Sequence, residues 1–235
     1  MSCATSRYTA FQDGKTIGAG NTDLCMGLTF GPNCELLKIV DSTGFAKLDY
    51  KTNSTLTSLF SIDGRQGLQD NFDWGIGVGL DAELLHMKLF GKLSLLDQYV
   101  HKKLGIALIP TINIGGTYEE EEKETFDKRI ENVKYIKFQL LTPISYSSNK
   151  LIVSVCPIAG WGKYMVKHKV GDNTIFKDSI IYHSLGLMFG MKYRIEKGRA
   201  KGYVFPELAI IYNDYTKKYH PYFGVGIGGN LDSWH

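Results

Sequence analysis

The sequence predicts an all-β fold: a closed antiparallel up-and-down transmembrane β-barrel of about ten strands, with roughly eight to twelve compatible with the pattern. Three observations carry this. From Phe72 to Asp81 every even position is large and apolar (Phe72, Trp74, Ile76, Val78, Leu80), and every odd one is glycine or aspartate. Successive strand residues face opposite sides, so this segment has one apolar face and one nearly bare, polar face. The alternation recurs down the chain with no helix to cover the apolar side, which suits a barrel whose outer wall meets lipid. Connections also alternate between short and long, as in barrels with tight turns at one end and larger loops at the other.

The segments follow in order. Thr22 to Phe30 sets Leu24, Met26, Leu28 and Phe30 against Asp23, Cys25, Gly27 and Thr29. Thr55 to Ile62 alternates less cleanly, and Phe72 to Leu80 follows. Glu83 to Leu95 opposes Leu85, Met87, Leu89 and Leu93 to His86, Lys88 and Lys92. Leu104 to Ile114 sets Ile106, Leu108 and Ile112 against Gly105, Ala107, Thr111 and Asn113. Val133 to Tyr146 places Ile136, Phe138, Leu140 and Ile144 opposite Lys137, Gln139 and Ser145. Leu151 to Trp161, Ile180 to Arg194, Tyr203 to Tyr212 and Tyr219 to Gly228 complete a set of ten.

Gln69-Asp70-Asn71, Ser147-Ser148-Asn149 and Glu196-Lys197-Gly198-Arg199 read as hairpin turns. The stretches Gly31 to Ser54, Gly115 to Asn132 and Gly162 to Ser179 read as long loops. The connection at Asp81-Ala82 is short although it falls on the long side. Trp74, Tyr146, Trp161, Tyr193, Tyr203, Tyr212, Tyr219 and Tyr222 gather near strand ends, where an aromatic girdle would sit at a membrane interface.

Composition agrees with this wall. Glycine (26), tyrosine (14) and phenylalanine (12) are plentiful while proline (6) is scarce, and aromatics with glycine suit strands and barrels. No run reaches the roughly 18 apolar residues of a membrane-spanning helix. The mean hydropathy of −0.14 decides nothing, because half of each barrel strand faces a polar interior. A formal charge of +3, evenly spread, excludes nucleic acid as a partner class. Without a Pro/Ser-rich linker, residues 22–235 read as one barrel domain and residues 1–21 as an N-terminal segment.

That segment opens Met1-Ser2-Cys3-Ala4-Thr5, with neither a charged n-region nor an apolar h-region. It is similar to the mature start of a bacterial lipoprotein, which makes Cys3 the candidate lipid anchor and outer-membrane lipid the first partner. Cys3, Cys25, Cys34 and Cys156 have no CxxC or metal spacing, and no required disulfide is expected. Cys25 and Cys156 fall on the inner phase as small packing residues.

The phase that turns the apolar face outward places Asp23, Asp73, Asp81, His86, Lys88, Lys92, Lys137, Lys192, Arg194 and Glu207 inward. A narrow lumen must pair or hydrate such charges. Structural filling is the leading reading of them, and a polar conduit or ligand pocket the other. The Gly75-x-Gly77-x-Gly79 and Gly224-x-Gly226-x-Gly228 runs lack the strand-to-helix context of a nucleotide site; inner-face glycine instead makes room in a narrow lumen.

No catalytic set, metal site or cofactor is expected. His183 and Ser184 are adjacent and so face opposite sides. Asp214 and His220, near Asp172 or Asp178, loosely resemble the acidic and histidine groups of omptin-type proteases, which also have ten strands, but no motif supports a hydrolase. The acidic run Glu119 to Glu124 reads as a solvated loop tip, with divalent-cation binding near lipopolysaccharide as its functional alternative.

With these segments placed, the chain resembles the outer-membrane β-barrel lipoproteins of Gram-negative-type bacteria. The matching residues are Cys3-Ala4-Thr5, Gly67-Leu68-Gln69-Asp70-Asn71-Phe72-Asp73-Trp74-Gly75, and Pro206-Glu207 in a late strand. The resemblance covers most of residues 3 to 235, is degenerate, and carries no catalytic residues. It implies residence in the bacterial outer membrane and a structural, surface-interaction or small-solute transport role, with a small solute or an envelope protein as partner. The competing reading is a soluble lipocalin-like barrel that binds an apolar ligand inside.

Overall fold

A computed structural model describes residues 12–40, 46–81, 84–96, 101–117, 132–170, 173–197 and 200–230. They form eleven strands: β1 (Thr22–Val40), β2 (Ala46–Gln69), β3 (Phe72–Leu80), β4 (Leu84–Ser94), β5 (Leu104–Thr117), β6 (Asn132–Leu141), β7 (Ile144–Ser147), β8 (Leu151–Val170), β9 (Asn173–Lys197), β10 (Ala200–Asn213) and β11 (Lys218–Asn230). Each pairs antiparallel with its neighbours, and β1 closes the ring against β11 with Asp23 opposite Asn230 and Phe30 opposite Phe223.

β6 and β7 are one stave of the wall. Leu141 opposes Ile158 and Ile144 opposes Val155, so the register passes through Thr142-Pro143 unchanged. Pro143 has no N–H to give, which breaks the ladder locally without shifting it. The same cause leaves gaps beside Pro110, between β4 and β5, and beside Pro206, between β9 and β10. The barrel therefore has ten staves, which match the ten expected segments.

Two expected loops are corrected. Gly31 to Ser54 and Gly162 to Ser179 continue the hairpins: β1 and β2 stay paired to Val40 and Ala46, and β8 and β9 to Val170 and Asn173. The period-2 hydrophobic signal of the sequence weakens along these stretches although the main-chain ladder goes on. These strands reach 19 to 25 residues, against the roughly 9–11 needed to cross a bilayer. Both hairpins project from one end. The other, short-turn end carries the turns at 70–71 and 148–150, the paired strand ends Lys197 and Ala200, and both ends of the ring, Thr22 and Asn230.

The wall is inverted relative to a soluble domain. Ile76 (56% exposed), Leu185 (63%) and Ile227 (52%) lie outside, while Asp73, Lys92 and Lys137 are at most 1% exposed inside. The lipocalin-like alternative needs the apolar phase inward and is overturned by this arrangement. Trp74, Tyr146, Tyr193 and Tyr219 lie on the outer face, but Tyr203 and Tyr222 point into the lumen, which removes them from the expected girdle.

Inner-face glycines seat rings from the neighbouring strand. A Cβ on Gly75 would stand 2.3 Å from the Phe90 ring, on Gly115 2.3 Å from Tyr135, and on Gly162 2.3 Å from Tyr182. The glycine face is bare in sequence because the next strand fills it.

Candidate functional site: the filled lumen

The chain enters the barrel before β1. Gln12, Asp13 and Thr16 are buried at the short-turn end, where residues 12–17 form a plug. Gly14 lies so close to the wall that a Cβ there would be 2.3 Å from the Gly105 carbonyl oxygen, and its N–H donates to Ser145 Oγ at 3.1 Å. Gly18 and Gly20, with φ of 86° and 77°, turn the chain out of the lumen into β1. The Gly20 N–H then donates to Gly67 O at 2.9 Å. Positive φ suits glycine because it lacks a Cβ.

The plug is held by charge. The Asp13 carboxylate receives Lys92 Nζ at 3.4 Å and Lys192 Nζ at 3.2 Å, from opposite parts of the ring. Burial alone would raise the Asp13 carboxyl. The positive charges of Lys192, Lys92 and Arg65, with the Lys15 amide, outweigh that and hold it well below the usual carboxylate range. Arg65 forks onto Asp23 (Nε at 3.0 Å, Nη2 at 2.9 Å) and donates from Nη1 to Gln12 Oε1 at 3.0 Å. Asp73 accepts the Ile17 N–H at 3.1 Å, and Tyr203 donates to Asp23 at 2.9 Å. Asp13, Asp23 and Asp73 thus face Arg65, Lys92 and Lys192, three charges against three. Without the plug the balance would be two against three.

The middle of the lumen is packed rather than open. Phe90, Ile109, Leu141, Ile158, Met188 and Ile211 belong to one buried cluster. Lys137 and Glu207 are also buried on the inner phase, and Lys88 pairs with Asp63 at 3.1 Å. Cys25 and Cys156 are buried free thiols on the inner phase. At the long-hairpin end, His86 Nε2 meets Asp81 Oδ2 at 3.1 Å while its Nδ1 contacts the Tyr135 hydroxyl. The Tyr135 ring packs 5.7 Å from Tyr164, which stacks 5.2 Å from Tyr182. Arg194 is half-buried on the inner phase near the plug.

Among the described residues, Asp214 and His220 are not brought together as the hydrolase constellation would require. Asp214 turns to His183, accepting its N–H at 2.6 Å and meeting its Nδ1 at 2.8 Å on the exposed outer side. Slight burial acts the other way, but that amide and imidazole hold the Asp214 carboxyl below its ordinary value. His220 instead points inward and contacts Thr216 Oγ1 at 2.8 Å. Among the described residues no three or more His, Cys, Asp or Glu groups converge as a metal site. Cys3, Asp172 and the run Glu119 to Glu124 lie outside the described residues.

Closed ring, apolar outer wall and polar inner wall define an outer-membrane-type β-barrel. Compared with solved structures, the chain is similar to the outer membrane protease OmpT from Escherichia coli, with a TM-score of 0.51 at 11% identity over 90% of this chain and 97% of that one. Ail, the attachment invasion locus protein of Yersinia pestis, matches with a TM-score of 0.38 at 8% identity over 91% and 99%. The likeness to OmpT is one of fold. No protein-family model and no curated protein matches the chain.

Proposed function

We propose that this chain is an integral outer-membrane barrel with a sealed lumen. It acts through its two projecting hairpins as a surface-interaction or structural protein, and Cys3 carries the lipid anchor. The seating of residues 12–17 inside the ring carries the reading, because a wall clamped onto its own N-terminal segment leaves no solute path at that end. The apolar outer wall and the fold likeness support outer-membrane placement. Eight residues lie between Cys3 and Gln12, and the nine steps reach about 30 Å when extended, enough for an anchor in the leaflet nearest the plug.

Fractionation and planar-bilayer recording of the intact protein test this together. The expected result is palmitate labelling that is lost in Cys3→Ser, heat-modifiable migration in the outer-membrane fraction, and no steady ion conductance. Stable open-channel currents from the intact chain would overturn the sealed-barrel reading. A small-solute conduit is the second reading, favoured by the charge balance at Asp13: one carboxylate engages two wall lysines, so withdrawing the plug would expose a cationic mouth at the short-turn end, and conduction would also require the apolar fill behind it to shift.

A further inference from the structure

Outward-facing residues of β6, β8 and β9 line up in rows across the wall. Phe138, Trp161 and His183 form one row, with the Phe138 and Trp161 rings 5.6 Å apart. On the short-turn side of that row the surface sinks into a groove of about 800 Å³, floored in part by the small residues Gly91 and Ala159. It is lined almost entirely by apolar atoms, and its size falls within the roughly 300–1,000 Å³ of ligand pockets.

On the other side of the row the same outer phase turns basic. Lys163 is two residues past Trp161, Lys134 is four before Phe138, and Lys167 opposes Lys177 directly across the β8–β9 ladder. Among the described residues none of these four lysines has an ion-pair partner. Like charges directly opposite one another destabilise a sheet, so the Lys167–Lys177 pair calls for an anion from outside the wall. Tyr193, at the short-turn margin of β9, is ten residues from His183. At about 3.3 Å per residue and a tilt near 40°, this spans ~25 Å, the height of an apolar barrel band. By the same measure Lys163 stands about 5 Å beyond the band, Lys134 about 10 Å and the Lys167–Lys177 pair about 15 Å, so the lysines climb from the headgroup phosphates outward while the groove lies at acyl-chain level.

We propose that this face binds a lipid carrying several acyl chains and phosphate groups, its chains in the groove beneath Phe138 and Trp161 and its phosphates on Lys134, Lys163, Lys167 and Lys177. The inference rests on the outer-membrane placement proposed above, with the long hairpins outside, which assigns the ligand to the outer leaflet.

The test uses the full chain in detergent micelles titrated with bisphosphorylated lipid A, its dephosphorylated form, and inorganic phosphate. The intact protein is expected to bind the bisphosphorylated form at least about tenfold more tightly than the dephosphorylated one, and to show no binding of inorganic phosphate at the same concentrations. Replacing the four lysines with alanine abolishes the preference, and Ala159→Leu, which fills the groove, weakens both lipids; heat-modifiable migration verifies that each variant folds. Equal binding of the two lipids by the intact chain, or an undiminished preference in the lysine variant, overturns the inference. Failure of the outer-membrane reading would instead show as a barrel that stays soluble without detergent.

Discussion

At Asp13 one carboxylate holds a stretch that the sequence presents only as part of an N-terminal segment ahead of the barrel. Its contacts, Lys92 and Lys192, lie 79 and 179 residues away, so no local pattern marks the position. Asp13→Asn leaves both lysines without that counter-charge in a buried site, a loss of about 3–5 kcal/mol in seating the plug. Limited trypsin cleavage after Lys15 should accelerate in this variant while the wall stays folded. Because the folded carboxyl is held below its unfolded value of about 3.9, its contribution is present above that pH and is lost only as pH falls through the lower folded value. The plug is expected to remain protected from protease at pH 4 and to loosen only in stronger acid. Gly162 makes the complementary point about space. Valine there would collide with the Tyr182 ring, and equilibrium urea unfolding in lipid vesicles should show a loss of roughly 1–3 kcal/mol.

At the level of elements, the ten staves were legible because each crosses a boundary between an apolar and a polar medium, which forces period 2. The segment Val133 to Tyr146 could be read as one unit despite Pro143, since the apolar phase is the same on both sides of it. The distal halves of the β1–β2 and β8–β9 hairpins were not legible, because their sequences do not keep the period-2 apolar alternation that marks the wall. The plug was hidden for a related reason: Gln12-Asp13-Gly14-Lys15-Thr16 is polar and small, and only the ring makes it interior. The inward side chains Asp73, Lys92 and Lys192 could be assigned a phase from sequence, but not partners. His183 and Asp214 meet only through the turn between β10 and β11, which composition does not encode. Deleting residues 2–17 should lower the stability of the short-turn end, because Lys92, Lys192 and Arg65 then outnumber Asp23 and Asp73 there. Planar bilayers holding this variant should still show no steady conductance, since Phe90, Ile109, Leu141, Ile158, Met188 and Ile211 continue to fill the middle of the lumen.

At the level of the molecule, both faces of the wall follow from one constraint: a closed ring leaves no unpaired strand edge, so the backbone is satisfied even in hydrocarbon. The outer face is then free to be apolar, and the cramped inner face takes glycine, charge pairs and stacked rings. The central claim is this inversion, with the large apolar phase in lipid. The most direct measurement places single bimane-labelled cysteines at Ile76, Val153 and Leu185, and at Ser154 and Ser184, in a chain whose native cysteines are replaced, and reads quenching by acyl-brominated lipid. Strong quenching at the first three and little at the two serine positions is the expected result. Equal quenching at both sets, or quenching confined to Ser154 and Ser184, would contradict the account.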